Sequence, residues 1–197
     1  NCIATGAVST MTNNTVAAVS LMGVTSSGTI TSSPFIGIFF QEGNGVTNNN
    51  TIGSQSATGS LTFSTTTTSS TDVYGIYNFS SNAWTSNNNN VGGISVTNLG
   101  ASGTFLVYGM RAFTGSTTTW TAGSNNIGGT VANSIQLAGT GTLSQVVGMF
   151  TSNAPTVLTS NTFRNLTTNI GTGTTSSASV IGINLTLAFF NLIPLHP

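Results

Sequence analysis

The sequence predicts an all-β chain folded as a parallel β-helix of about five repeats, each roughly 36 residues long. Three observations predict it: a Thr- and Asn-rich composition almost free of charge, a lack of helix-forming stretches, and two columns of residues that recur along the whole chain.

More than half of the 197 residues are Thr, Ser, Asn or Gly, and only 2% are charged, against about a quarter in a typical soluble domain. Such polarity can signal disorder, but 38% of the chain is apolar and 8% aromatic. Disordered segments are poor in the aromatic and β-branched residues needed to bury a core, so the chain is expected to fold. Thr, Val, Ile, Phe and Tyr suit a pleated, half-buried surface. Lys is absent, Glu42 is the only Glu, and no apolar period of 3.6 is sustained.

The first recurring column is a glycine between apolar residues: Ile36-Gly37-Ile38, Tyr74-Gly75-Ile76, Tyr108-Gly109-Met110, Val147-Gly148-Met149 and Ile181-Gly182-Ile183. The second is an asparagine two residues before an apolar one: Asn14/Val16, Asn50/Ile52, Asn89/Val91, Asn125/Ile127 and Asn161/Phe163. The glycines are spaced 38, 34, 39 and 34 residues apart, and the asparagines 36, 39, 36 and 36. Two independent columns sharing one period mark stacked equivalent coils.

Side-chain alternation assigns faces to these positions. The apolar pair around each glycine is expected to point inward. The glycine itself is placed on the outward row, with Phe39, Tyr77, Arg111, Phe150 and Asn184. The asparagines are expected at sharp corners, because Asn tolerates the left-handed backbone region. Stacked there, Asn14, Asn50, Asn89, Asn125 and Asn161 would form a hydrogen-bonded ladder.

Residues 1–184 read as the repetitive domain and 185–197 as an apolar C-terminal segment, suited to an edge or inter-subunit strand. The competing architecture is a pilin-like β-sandwich polymerised by donating that strand to a neighbour. The apolar stretch from Leu185 to Leu195 is interrupted by Asn191 and Pro194 and is too short to span a bilayer.

The run Tyr74-Gly75-Ile76-Tyr77, Trp84, Asn87 to Asn90 and Val91-Gly92-Gly93-Ile94 resembles the repeats of large bacterial secreted surface proteins and adhesins. Those are built as right-handed parallel β-helices of the pectin-lyase-like type. The resemblance implies extracellular display at a cell surface and carries no catalytic residue onto this chain.

The chemical inventory is small. Arg111, Arg164, Glu42 and Asp72 are the only formal charges, so no basic field exists to draw nucleic acid. Glycoside chemistry needs a pair of carboxyl groups, and Glu42 and Asp72 occupy different parts of their repeats. Glu42 reads as a solvated loop residue and Asp72 as a turn residue. His196 has no Cys, Asp or Glu near it in sequence, so no metal site is expected. No Ser has a His and an acid to activate it. The chain is therefore expected to be no enzyme and to need no cofactor. Cys2 stands alone, so no internal disulfide can form.

Five Asn-x-Ser/Thr sequons, at Asn13, Asn49, Asn78, Asn165 and Asn184, are candidate glycosylation positions. Trp84, Trp120 and Tyr77 are candidates for an aromatic platform that binds glycans. The function expected is a structural subunit or segment of an extracellular cell-surface filament or adhesin. Its partners would be copies of itself or adjoining repeats, with glycans as further partners. A carbohydrate-binding surface module is the alternative of a different class.

Overall fold

A computed structural model describes residues 2–24, 28, 33–100, 103–113, 118–139, 143–152, 155–170 and 177–186. The described chain is all-β, and every strand pairing is parallel. Successive coils stack in register into a β-solenoid with a spacing of about 36 residues. The β-sandwich alternative is thereby set aside, and the donor-strand reading built on it goes too.

The first coil contributes β1 (Cys2–Thr12), β2 (Thr15–Val16) and β3 (Val19–Val24), and the second β4 (Phe35–Asn48), β5 (Thr51–Gly53) and β6 (Leu61–Thr65). The third runs through β7 (Thr71–Asn78), β8 (Trp84–Asn87), β9 (Asn90–Gly92) and β10 (Ile94–Asn98). The fourth comprises β11 (Thr104–Phe113), β12 (Trp120–Gly123), β13 (Asn126–Ile127) and β14 (Ile135–Gly139). The fifth comprises β15 (Leu143–Ser152), β16 (Thr156–Thr159), β17 (Thr162–Phe163) and β18 (Leu166–Ile170), and β19 (Ser177–Thr186) begins a further coil. Leu185 and Thr186 thus continue the repeat, whereas 187–197 lie outside the described residues.

Three parallel sheets result. The largest has the order β16-β12-β8-β4-β7-β11-β15-β19, with β1 also paired to β4. It unites two rows of strands because β4 is continuous. The N-terminal half of β4 pairs with β7, and Gly45 and Val46 pair with β8. The second sheet stacks β18-β14-β10-β6-β3, and the third stacks the short corner strands β17-β13-β9-β5-β2.

In-register stacking puts like on like. Ile94 lies between Leu61 and Ile135, and Trp84 stands beside Trp120. Ile52, Val91, Ile94, Ile127, Met110, Met149, Trp84 and Trp120 are among the side chains of one continuous interior. Burying such rows supplies most of the free energy of folding, at about 25 cal/mol per Å² of apolar area removed from water.

The glycine column departs from its expected face. A β-carbon on Gly75 would meet Val91 Cγ1 at 2.5 Å, and one on Gly37 would meet Ile52 Cγ2 at 2.7 Å. Gly109 and Gly148 face Ile127 and Phe163 in the same way. These glycines point into the core, where the apolar residue of the asparagine column fills the space a side chain would take. Alternation therefore slips by one at each glycine. Ile38, Ile76, Met110 and Met149 are interior, while Ile36, Tyr74, Tyr108, Val147 and Ile181 lie in a second cluster. That cluster includes Phe39, Tyr77 and Phe150 and takes in half of the pair expected to point inward.

Candidate functional site: an asparagine ladder and a buried charged cluster

The corner asparagines form an unbroken ladder. Asn14 Nδ2 donates to Asn50 Oδ1 at 3.0 Å, and Asn50 Nδ2 donates to Asn89 Oδ1 at 3.0 Å. Asn89 donates to Asn125, and Asn125 to Asn161, each at 2.9 Å. Each backbone N–H doubles its own side chain's bond: Asn14, Asn50, Asn89 and Asn125 all donate through N to the next Oδ1. The second Nδ2 hydrogen of Asn89 reaches Thr47 O at 2.7 Å, and that of Asn125 reaches Ser86 O at 2.8 Å.

Asn50, Asn89 and Asn125 are wholly buried. Buried amides are tolerated only when their donors and acceptors are met, and the ladder meets them coil by coil. The left-handed residue at each corner is not the ladder asparagine but the one before it: Asn13, Asn49, Asn88, Ser124 and Ser160, with φ from 54° to 59°. That residue makes the bend and turns outward, which leaves the following asparagine free to point along the stack.

A second, shorter ladder was not anticipated. Asn48 Oδ1 accepts from Asn87 N, and Asn87 Oδ1 accepts from Gly123 N, both at 2.8 Å. Its sequence signal is the run of asparagines at two corners, Asn48 to Asn50 and Asn87 to Asn90, where composition alone hides which residue stacks.

Trp84 and Trp120 stack at 5.1 Å between ring centroids and 12° between planes. They are 1% and 0% exposed, and Tyr77 is also fully buried. Trp84 Nε1 donates to Thr47 Oγ1 and Trp120 Nε1 to Ser86 Oγ, both at 2.9 Å. With faces and N–H groups already engaged inside the protein, these three residues do not form a glycan platform. That expectation is corrected.

Two of the four formal charges meet within the second cluster. Asp72 is not a turn residue: it lies within β7 and is 3% exposed. Its Oδ2 accepts from Tyr74 Oη at 2.6 Å and stands 3.4 Å from Arg111 Nη1. Arg111 Nη1 also donates to Tyr74 Oη at 2.8 Å. The guanidinium carbon lies 5.0–5.6 Å from the ring centroids of Tyr74, Tyr77, Tyr108 and Phe150, a cation–π cage.

Desolvation raises the Asp72 carboxyl above its ordinary value, and the Tyr74 hydrogen bond and Arg111 charge only partly offset this. Burial likewise pushes the Tyr77 and Tyr108 phenols up to about 12. Arg111 is held above its usual value because the surrounding phenols and Asp72 outweigh its desolvation. The grouping needs the register of β7 on β11, which places Arg111 beside Tyr77. The sequence clue is that both charges fall in the same strand of adjacent repeats.

Glu42 is exposed, as anticipated, but sits within β4 and not in a loop. Arg164 is exposed near the corner strand β17. Among the described residues no three His, Cys, Asp or Glu side chains gather as a metal site; His196 lies outside the described residues. Cys2 is the first residue of β1.

The sequons divide. Asn13, Asn49 and Asn165 are exposed, all three at left-handed corners, although Asn165 Nδ2 donates to Gly129 O at 2.8 Å. Asn184 is half-buried on β19. Asn78 is corrected: it is completely buried, with Oδ1 accepting from Ser80 N, and a glycan has no room there in the folded chain.

The fold and the ladder define a protein of the parallel β-solenoid class, whose polar interior groups serve stacking. Compared with known proteins, the chain matches no family model, no curated protein and no solved structure. Among the described residues no helix is long and apolar enough to cross a membrane.

Proposed function

We propose that this chain is a structural segment of an extracellular cell-surface filament or adhesin, associating with copies of itself through contacts between coils. The observation that carries the reading is the use made of the buried polar groups. The corner amides and indole N–H groups are consumed in joining one coil to the next, as in Asn89 to Asn125 and Trp120 to Ser86. The Arg111–Asp72 ion pair lies within an aromatic cluster. Residues arranged this way supply length and rigidity, which supports a structural role over turnover. The exposed corner asparagines Asn13, Asn49 and Asn165 offer positions for glycans in a host that adds them. The near absence of titrating groups suits exposure to varying pH.

Fibre diffraction of assembled material tests the filament. Strands crossing a fibre axis give axial order near ~4.8 Å, which is the expected result. Isolated particles under all assembly conditions, or fibres repeating only at subunit length, would overturn it. Protease shaving of intact source cells tests the location, and a chain left untouched on intact cells but cleaved after lysis would remove the surface assignment.

A further inference from the structure

The turns that follow the corner strands differ in length from coil to coil. In the third coil Gly93 alone separates β9 from β10. In the second coil residues 54–60 separate β5 from β6, and in the fourth residues 128–134 separate β13 from β14. Two long loops therefore flank one short turn on the same edge of the solenoid.

The loops meet across it. Gln55 O accepts from Thr130 N at 2.6 Å and from Thr130 Oγ1 at 3.0 Å. These residues lie 75 positions and two coils apart, whereas the strand pairings join neighbouring coils. Beneath the crossing, the buried Ser134 Oγ accepts from Gly129 N at 2.6 Å and from Gly93 N at 3.1 Å. On the other side Ser54 N donates to Gly92 O at 3.0 Å and Ser60 Oγ to Gly93 O at 3.3 Å.

Missing side chains make room for the crossing. A β-carbon would lie 2.7 Å from Ser54 O on Gly92, 2.9 Å from Ala57 O on Gly93, and 2.3 Å from Gln55 O on Gly129. All three glycines are buried. The Gln55 amide atoms are also buried and have no hydrogen-bond partner among the described residues. The main chain of Gln55 therefore makes the link, and its side chain adds a cost of desolvation.

We infer that loops 54–60 and 128–134 form a clasp that locks the third coil between the second and the fourth, so that these coils open as one unit. In a simple solenoid each repeat contacts only its neighbours, and an end frays one coil at a time. With the clasp closed, the fourth coil leaves the third only by parting from the second as well. The clasp belongs to a single chain and does not depend on self-association.

Amide hydrogen exchange of the full chain in rising urea tests it. Asn90 N bonds the third coil to the second, and Asn126 N bonds the fourth to the third, each at 2.8 Å. In the wild-type chain both amides should exchange through one opening, with the same urea dependence. Gly129→Ala wedges the loops apart, because its β-carbon claims the place of Gln55 O. Asn126 should then exchange about tenfold faster than Asn90, the change expected for one or two lost hydrogen bonds. A change confined to residues 128–134, or an equal acceleration of both amides, overturns the clasp.

Thr130→Pro, at an exposed position, removes the donor N–H and the hydroxyl together and should separate the two amides in the same way. Wild-type exchange in this variant overturns the clasp even where Gly129→Ala does not fold. Gln55→Met discards the unmet amide but keeps the carbonyl, so Asn90 and Asn126 should stay together. Their separation in that variant would overturn the main-chain link.

Discussion

Gly75 and Val91 share one volume: a β-carbon on the glycine would lie 2.5 Å from Val91 Cγ1. The two belong to different recurring columns, 16 positions apart in the chain, and face each other across the interior of one coil. The same fit joins Gly37 to Ile52, Gly109 to Ile127 and Gly148 to Phe163, so the two columns keep one period because each coil must close on itself.

Gly75→Ala should therefore lower the denaturation midpoint by an amount equivalent to about 1–3 kcal/mol, the usual cost of overpacking. Adding Val91→Ala should recover only part of this, since the added carbon would still lie 2.5 Å from Gly109 O. A urea titration of the two variants checks it, and full recovery would contradict the backbone clash.

Asn89 occupies the buried middle of the ladder and Asn14 its exposed end. Asn89→Ala removes the acceptor of the Asn50 backbone N–H and of one Asn50 Nδ2 hydrogen, and the side-chain donor to Thr47 O, at about 1–3 kcal/mol for each stranded group. Asn14→Ala should cost about 1 kcal/mol or less, because water replaces the lost bonds. Thermal melts of the pair should show this inequality.

Trp84 and Trp120 should be shielded from acrylamide until the chain unfolds, because both rings are buried against each other. Adding sugars should leave their fluorescence unchanged. Strong quenching of the native protein would show that the rings are reachable after all.

Stability should fall as pH rises from about 10 to about 12. The folded chain still holds the Tyr77 and Tyr108 protons at values where an unfolded chain, with ordinary phenols near 10, has released them. The contribution is complete below the lower value and lost through the upper one. Tyr77→Phe should flatten the alkaline limb of a melting-temperature profile.

Arg111→Met strands the Asp72 carboxylate in the aromatic cluster. Removing one partner of a buried pair costs roughly 3–5 kcal/mol. Asp72 already titrates above its ordinary value, so the folded state favours its protonated form and its burden on stability eases as pH falls. Acid, or Asp72→Asn in the same chain, should recover part of the loss, and denaturant midpoints at neutral and acid pH measure it.

Most of the architecture was legible in the sequence, because a solenoid repeats its local rules. β-Branched and aromatic composition sets the strand class, and the spacing of Asn50, Asn89 and Asn125 sets the coil length. Each coil must bury its apolar row on the next, so any residue required once recurs at the same interval. The ladder itself was readable for that reason.

Facing directions were less legible. Simple alternation places the glycines outward and both their neighbours inward. The structure turns Gly75 into the main core and Tyr74 into the second cluster, because a one-residue slip within the strand makes room for Val91. The corner bend belongs to Asn88 and not Asn89, a distinction that a run of four asparagines conceals.

The sequence by itself determined the strand content, the period, the corner asparagines and the poverty of charge, since each is a local or repeating property. Only the tertiary structure decided what lies beside what from coil to coil. Stacking register brings Arg111 onto Tyr74 and Asp72, seals Trp84 against Trp120, buries Asn78, and joins the asparagines from Asn14 to Asn161 in one polar ladder. Those relations depend on loop lengths between coils and on which side chain fills which gap. They are fixed by the mutual packing of residues more than thirty positions apart, where no local rule reaches.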